Sequence, residues 1–153
     1  MKKILTFFTI AMLATTSFAT DFMADALAKA KKENKAVMVI FSGLEWCPPC
    51  QMFDARIIKS SQFKNFAKKN LVMLEVDTKR NGQKVVSMDD KKLKKDKTYK
   101  TDVATLESKY SHRGVPYAVL VDANGKTVYE QLGCPRSSAQ EFVDMLKTKI
   151  SKK

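Results

Sequence analysis

The sequence predicts an α/β domain built on a four-stranded mixed sheet with helices on both faces, and three observations carry that prediction. Two short apolar runs, residues 36–41 and 71–77, are separated by a helical stretch, the pattern of parallel strands joined by a right-handed crossover. Two further β-rich runs, residues 117–121 and 127–132, flank Asp122-Ala123-Asn124-Gly125, whose Asn-Gly is a hairpin signal for an antiparallel pair. Helical periodicity brackets the whole, at residues 21–34 and again after Ser138.

Each element has a local reason. Asp21 caps a first helix in which Phe22, Ala26, Leu27 and Ala30 share one face while Lys29, Lys31 and Lys32 face water. Residues 36–41 form a continuous apolar run, as a strand buried on both faces requires. A second helix opens at Pro48-Pro49, continues through Met52, Phe53 and Ile57, and pauses at Ser60-Ser61. A further turn or two carries Phe63, Phe66 and Ala67 into the second strand. After a polar insert, residues 103–110 read as a short helix capped by Thr101 or Asp102. The last helix begins with a capping box, Ser138-Ala139-Gln140-Glu141, and places Phe142, Met145, Leu146 and Ile150 on one face.

The chemistry concentrates in Trp46-Cys47-Pro48-Pro49-Cys50 at the carboxyl end of the first strand. Pro at the first helical positions presets φ and lacks only N–H groups that would have had no intrahelical partner, so Cys47 becomes the N-cap. Cys50 then lies one turn away on the same face, roughly 5 to 6 Å off at the backbone, which suits a reversible disulfide. The helix end favours a thiolate on Cys47, the expected nucleophile, and burial makes Cys50 the resolving thiol. Glu45 is a candidate accessory group beside the motif. Half of a zinc site or an inert bridge are the bland alternatives. Zinc usually takes four ligands, and only Cys134 and His112 remain to supply them, so no metal is expected.

Lys2 and Lys3, an apolar stretch at residues 4–14 and Ser17-Phe18-Ala19 read as an export signal cleaved near Ala19. The stretch is too short to span roughly 30 Å of hydrocarbon. Residues 20–153 are then one domain, periplasmic or secreted. The formal net charge is +12. Much of it sits in an insert at about residues 79–100, where nine basic side chains face three acidic ones. That insert is either a solvated face or a dock for an acidic protein surface. Nucleic acid is disfavoured by export and by the lack of interleaved aromatics apart from Tyr99.

On four segments the chain resembles the thioredoxin superfamily: Trp46-Cys47-Pro48-Pro49-Cys50, Lys109-Tyr110-Ser111-His112-Arg113-Gly114-Val115-Pro116, the Asp122-Ala123-Asn124-Gly125-Lys126 hairpin, and Gly133. The first helix and residues 41–47 look most like the exported bacterial branch related to the carboxy-terminal domain of membrane thiol-disulfide interchange proteins. The resemblance implies a thioredoxin-like fold and a cis Val115–Pro116 bond. It also implies that Val115 offers its backbone to a substrate strand while Pro116 and Trp46 shape the site and Pro116 shields the sulfurs. No organic cofactor is implied. The implied partners are exported proteins with disulfides and a membrane or soluble thiol electron donor.

Two departures stand out. Many thioredoxins carry a buried aspartate in the first strand and a lysine in the next; the corresponding positions here read as Ile40 or Phe41, and Met73. Glu45 or water would have to carry the proton instead. Pro48 and Pro49 also donate no backbone hydrogen bond to Cys47, which favours a reducing couple. Cys134, after Gly133, is expected beside the redox pair, as a small turn residue or as an accessory thiol. The activity expected is a disulfide reductase using Cys47 and Cys50. An oxidase or isomerase, or a non-enzymatic copper carrier or acidic-partner module, remain the alternatives.

Overall fold

The computed structural model describes residues 21–95, 97–110 and 114–151. The signal-like residues 1–19, and His112 beside the proline loop, lie outside the described residues. Helix α1, Phe22–Glu33, starts where the Asp21 side chain accepts the Met23 N–H at 2.9 Å and stops at Asn34, whose φ of 54° is left-handed. Strand β1, Ala36–Ser42, is buried along its entire length. Helix α2, Pro48–Phe53, runs into a single π-helical turn, Asp54–Ile58, and Ser60 caps helix α3, Ser61–Asn70, by accepting the Phe63 N–H. Strand β2, Leu71–Thr78, pairs parallel with β1.

The insert overturns the expected strand count. Strand β3, Lys84–Met88, pairs antiparallel with β2, and the two-residue β4, Lys91–Lys92, pairs with β3. The sheet therefore has six strands in the order β4-β3-β2-β1-β5-β6, with β5 at Tyr117–Val121 and β6 at Thr127–Leu132. The polar side chains of the insert hid this, because an edge strand needs only one apolar contact row. Val86, fully buried, supplies it. The outer edge is short and carries two exposed lysines, a pattern that discourages pairing with another chain.

Helix α4, Tyr99–Lys109, begins four residues before the expected Val103. Tyr99 is the reason. Its ring packs edge-on against Phe22, and its hydroxyl accepts the Val86 N–H at 2.9 Å and donates to the Lys84 carbonyl at 3.1 Å. A tyrosine so buried and so fully bonded winds the preceding turn into the helix.

β1 separates two apolar cores. Val37, Val39 and Phe41 face α1 and α4, while Ala36, Met38 and Ile40 face α2, α3 and helix α5, Ala139–Ser151. The predicted capping box forms: the Glu141 carboxylate accepts the Ser138 N–H at 2.8 Å, and Ser138 Oγ accepts the Glu141 N–H at 3.3 Å. Helices thus cover both faces and leave the carboxyl end of β1 free to present the cysteines.

Candidate active site

Cys47 and Cys50 are joined as a disulfide with Cα atoms 5.2 Å apart. Cys47 is the N-cap of α2, with extended backbone at φ −107° and ψ 101°, and its Sγ accepts the Cys50 N–H at 3.2 Å. With prolines at 48 and 49, no other amide of the first helical turn before Cys50 can point at that sulfur. Cys50 is 1% exposed and Cys47 5%. The Val115–Pro116 bond is cis, and the Val115 carbonyl oxygen lies 3.6 Å from Cys47 Sγ. Two segments remote in sequence therefore meet at the outer sulfur. The Gly133 N–H donates to the Pro116 carbonyl at 2.8 Å, which ties the end of β6 to the proline loop. Cys134 follows, half-buried, with its sulfur against the Pro135 carbonyl and its side chain packed on the α5 face.

The loop leading to the motif is held by β2. Asp77 Oδ1 accepts the Leu44 N–H at 2.9 Å and the Ser42 hydroxyl at 3.3 Å, and Asp77 Oδ2 lies 2.8 Å from Lys79 Nζ. Burial pushes the Asp77 carboxyl up, but the bonds from Lys79, Leu44 and Ser42 outweigh it and hold the group below its usual range. Trp46 donates its indole N–H to the Thr78 carbonyl at 2.8 Å and remains 44% exposed. Glu45 is turned toward the insert. Its carboxylate accepts the Arg80 N–H at 3.1 Å and lies 3.2 Å from Lys79 Nζ, and these contacts, the Arg80 amide first, lower its pKa.

Gly43 makes this arrangement possible. A Cβ there would lie 2.4 Å from Trp46 Cε2 and 2.5 Å from Cζ2. Gly43→Ala is therefore expected to push the indole off the Thr78 carbonyl at a cost of about 1–3 kcal/mol. Trp46 is the single tryptophan, so its emission reports the displacement directly. An unchanged spectrum and urea midpoint would show that the backbone at residue 43 gives way instead and leaves the ring in place.

One residue near the cysteines escaped sequence reasoning. Glu75 in β2 is the register partner of Ile40 in β1, whereas Met73 pairs with Met38 and Phe41 faces the opposite core. The positions flanking Cys50 are thus Ile40 and Glu75, not Phe41 or Met73. Glu75 lines a small recess of about 20 Å³ together with Cys50, Ile40, Ser42, Phe53 and Asp54. Burial, reinforced by Asp90, Asp54 and Asp77, pushes its pKa up to about 7. The signal was present: Glu75 is the only charge within the otherwise apolar run 71–76, but without the strand register it could have faced either side.

A disulfide at a helix start beside a cis-proline loop can exchange with an incoming thiol or disulfide without refolding. Comparison with known proteins agrees with that chemistry. The disulfide bond reductase DsbH of Chlamydia pneumoniae is 28% identical over 138 residues, covering 90% of this chain and 76% of that protein. The solved structure of a DsbH oxidoreductase superposes with a TM-score of 0.68 at 27% identity, covering 85% of this chain and 82% of that one. The oxidised carboxy-terminal domain of Neisseria meningitidis DsbD has the same fold at a TM-score of 0.55 and 17% identity, covering 84% of this chain and 92% of that one. Cys47 and Cys50 make this chain a thiol-disulfide oxidoreductase. The thioredoxin-like domain model matches residues 23–150, and the chain belongs to that family.

Proposed function

We propose that the protein is an extracytoplasmic disulfide reductase, in which Cys47 attacks a substrate disulfide and Cys50 resolves the mixed disulfide. The observation that carries the direction is the single amide on the Cys47 sulfur. A thiolate held by few donors is weakly stabilised, so the reduced form is a good electron donor. The reductase named DsbH supports the same direction. A substrate strand would lie along Val115, whose carbonyl already borders Cys47. Trp46, Pro48, Pro49 and Pro116 would shape the approach, and electrons would come from a membrane or soluble thiol donor. Export rests on the signal-like residues 1–19; among the described residues no helix is long and apolar enough to cross a membrane. Exported proteins with disulfides are then the substrate class.

Equilibration of the full chain with glutathione and dithiothreitol buffers tests the direction. A potential near about −270 mV is expected, and one near about −120 mV would make the protein an oxidase. Amino-terminal sequencing of the protein from its host tests cleavage after Ala19.

A further inference from the structure

Resolution of a mixed disulfide requires that Cys50 lose its proton while buried. On the reading that Cys47 attacks and Cys50 resolves, we infer that Glu75 takes the Cys50 proton through the recess the two side chains share and releases it to an adjoining solvent groove.

The geometry supports each part. The recess has room for about one water, which needs roughly 10–15 Å³. Cys50, Glu75 and the Ser42 hydroxyl supply polar partners for it. Glu75, like Asp54, also lines a second, much larger groove of about 760 Å³ bordered by Lys59, Met73 and Asp90, so its carboxylate reaches from the recess of the inner sulfur to open solvent. Of the other acids nearby, three are already engaged, and Asp90 borders only the outer groove. Asp54 lies 2.5 Å from Lys59, Asp77 holds Leu44, Ser42 and Lys79, and Asp89 accepts the Met73 N–H and pairs with Lys29. Among the described residues none hydrogen-bonds to or ion-pairs with the Glu75 carboxylate.

The charges facing Glu75 come from three places. The π-turn and its end supply Asp54 and Lys59, the β3–β4 turn supplies Asp90, and its own strand supplies Asp77. β1 and β3 present Ile40 and Ser87 opposite it, neither of them titratable at neutral pH. Lys35, Lys64 and Lys68 lie along the groove. Burial first, and then three acids against one facing lysine, keep the carboxyl weakly acidic, so it accepts a proton near neutrality, where a general base is most effective.

The step balances. The Cys50 S–H proton passes by way of a water to the Glu75 carboxylate. The Cys50 thiolate attacks Cys47 Sγ; the Cys47–Cys50 bond forms as the bond from Cys47 to the substrate sulfur breaks, and the electron pair leaves on the substrate thiolate. Glu75 then gives its proton to solvent in the groove. The protein dithiol is oxidised by two electrons and the substrate disulfide is reduced.

The test uses the reduced full chain mixed with one equivalent of dithiobis(nitrobenzoate), which releases one coloured thiolate when Cys47 attacks and a second when Cys50 resolves. Glu75→Gln should leave the first phase unchanged, slow the second about tenfold or more at pH 7, and remove its inflection near pH 7. Glu75→Asp should restore part of the rate. The Gln variant will fold, because a carboxyl whose pKa is raised on folding loses stability as pH climbs from its unfolded value through about 7. Removing that charge stabilises the protein at pH 8. A second phase in Glu75→Gln with the rate and pH profile of the parent would overturn the assignment, as would loss of the inflection in Asp54→Asn but not in Glu75→Gln. A parent protein lacking the first phase would instead overturn the role of Cys47, and this inference with it.

Discussion

Replacing Cys50 with Ala will stop disulfide reduction at the halfway point: turnover falls to background, and one substrate molecule per chain stays bound to Cys47. The reason is positional. Cys47 borders the Val115 carbonyl at 3.6 Å, where an incoming strand would lie, while Cys50 sits 1% exposed one helical turn inward. Attack therefore starts at Cys47, and only a thiol held within bonding range can release the adduct faster than solvent thiols do. Cys47→Ser removes the attack itself and should form no adduct. Insulin reduction measures turnover, and non-reducing gels with mass spectrometry of extracts from the native host identify what is bound. Normal turnover in Cys50→Ala would refute the resolving role. An adduct on Cys134 in Cys47→Ser would place that half-buried thiol in the electron path.

The largest loss of stability is expected from Phe142→Ala. Phe142 in α5 is 1% exposed, and its ring meets Phe53 edge-on at 5.9 Å, Phe63 at 6.3 Å and Tyr129 at 6.3 Å. Phe53 is three residues beyond Cys50 on the same helix, so this aromatic cluster is what presses the active-site helix onto the sheet. Deleting the ring removes its burial and leaves a cavity between rigid neighbours, at a cost of about 3–5 kcal/mol out of a typical 5–15. Urea denaturation should show a lower midpoint with an unchanged slope. A loss under about 1 kcal/mol would mean that α5 does not hold α2 in place.

Much of the fold was readable because its signals are local. Asp21 and Ser138 cap helices through atoms two or three residues away, Pro48 and Pro49 preset a helix start, and the Asn-Gly turn joins strands that are neighbours in sequence. The same holds for the site. Cys47 and Cys50 are paired by helical spacing, and the resemblance carried the cis bond at Pro116. The unread parts are those where a polar residue's role depends on a partner far along the chain. β3 and β4 are strands only because β2 offers an edge, and Tyr99 belongs to α4 only because it reaches Phe22 and Val86. Asp77 is a brace only because the loop at Leu44 folds over it.

By itself, then, the sequence determined the redox pair, the helix that presents it and the alternation that buries β1 on both faces, since spacing, capping and periodicity act over a few residues. Only the tertiary structure decided that the basic insert widens the sheet and that Glu75, rather than Met73, lies beside Cys50. Parallel strand register is set by packing across 35 residues of chain, from Ile40 to Glu75, and a shift of one residue would have turned that carboxylate to the other face.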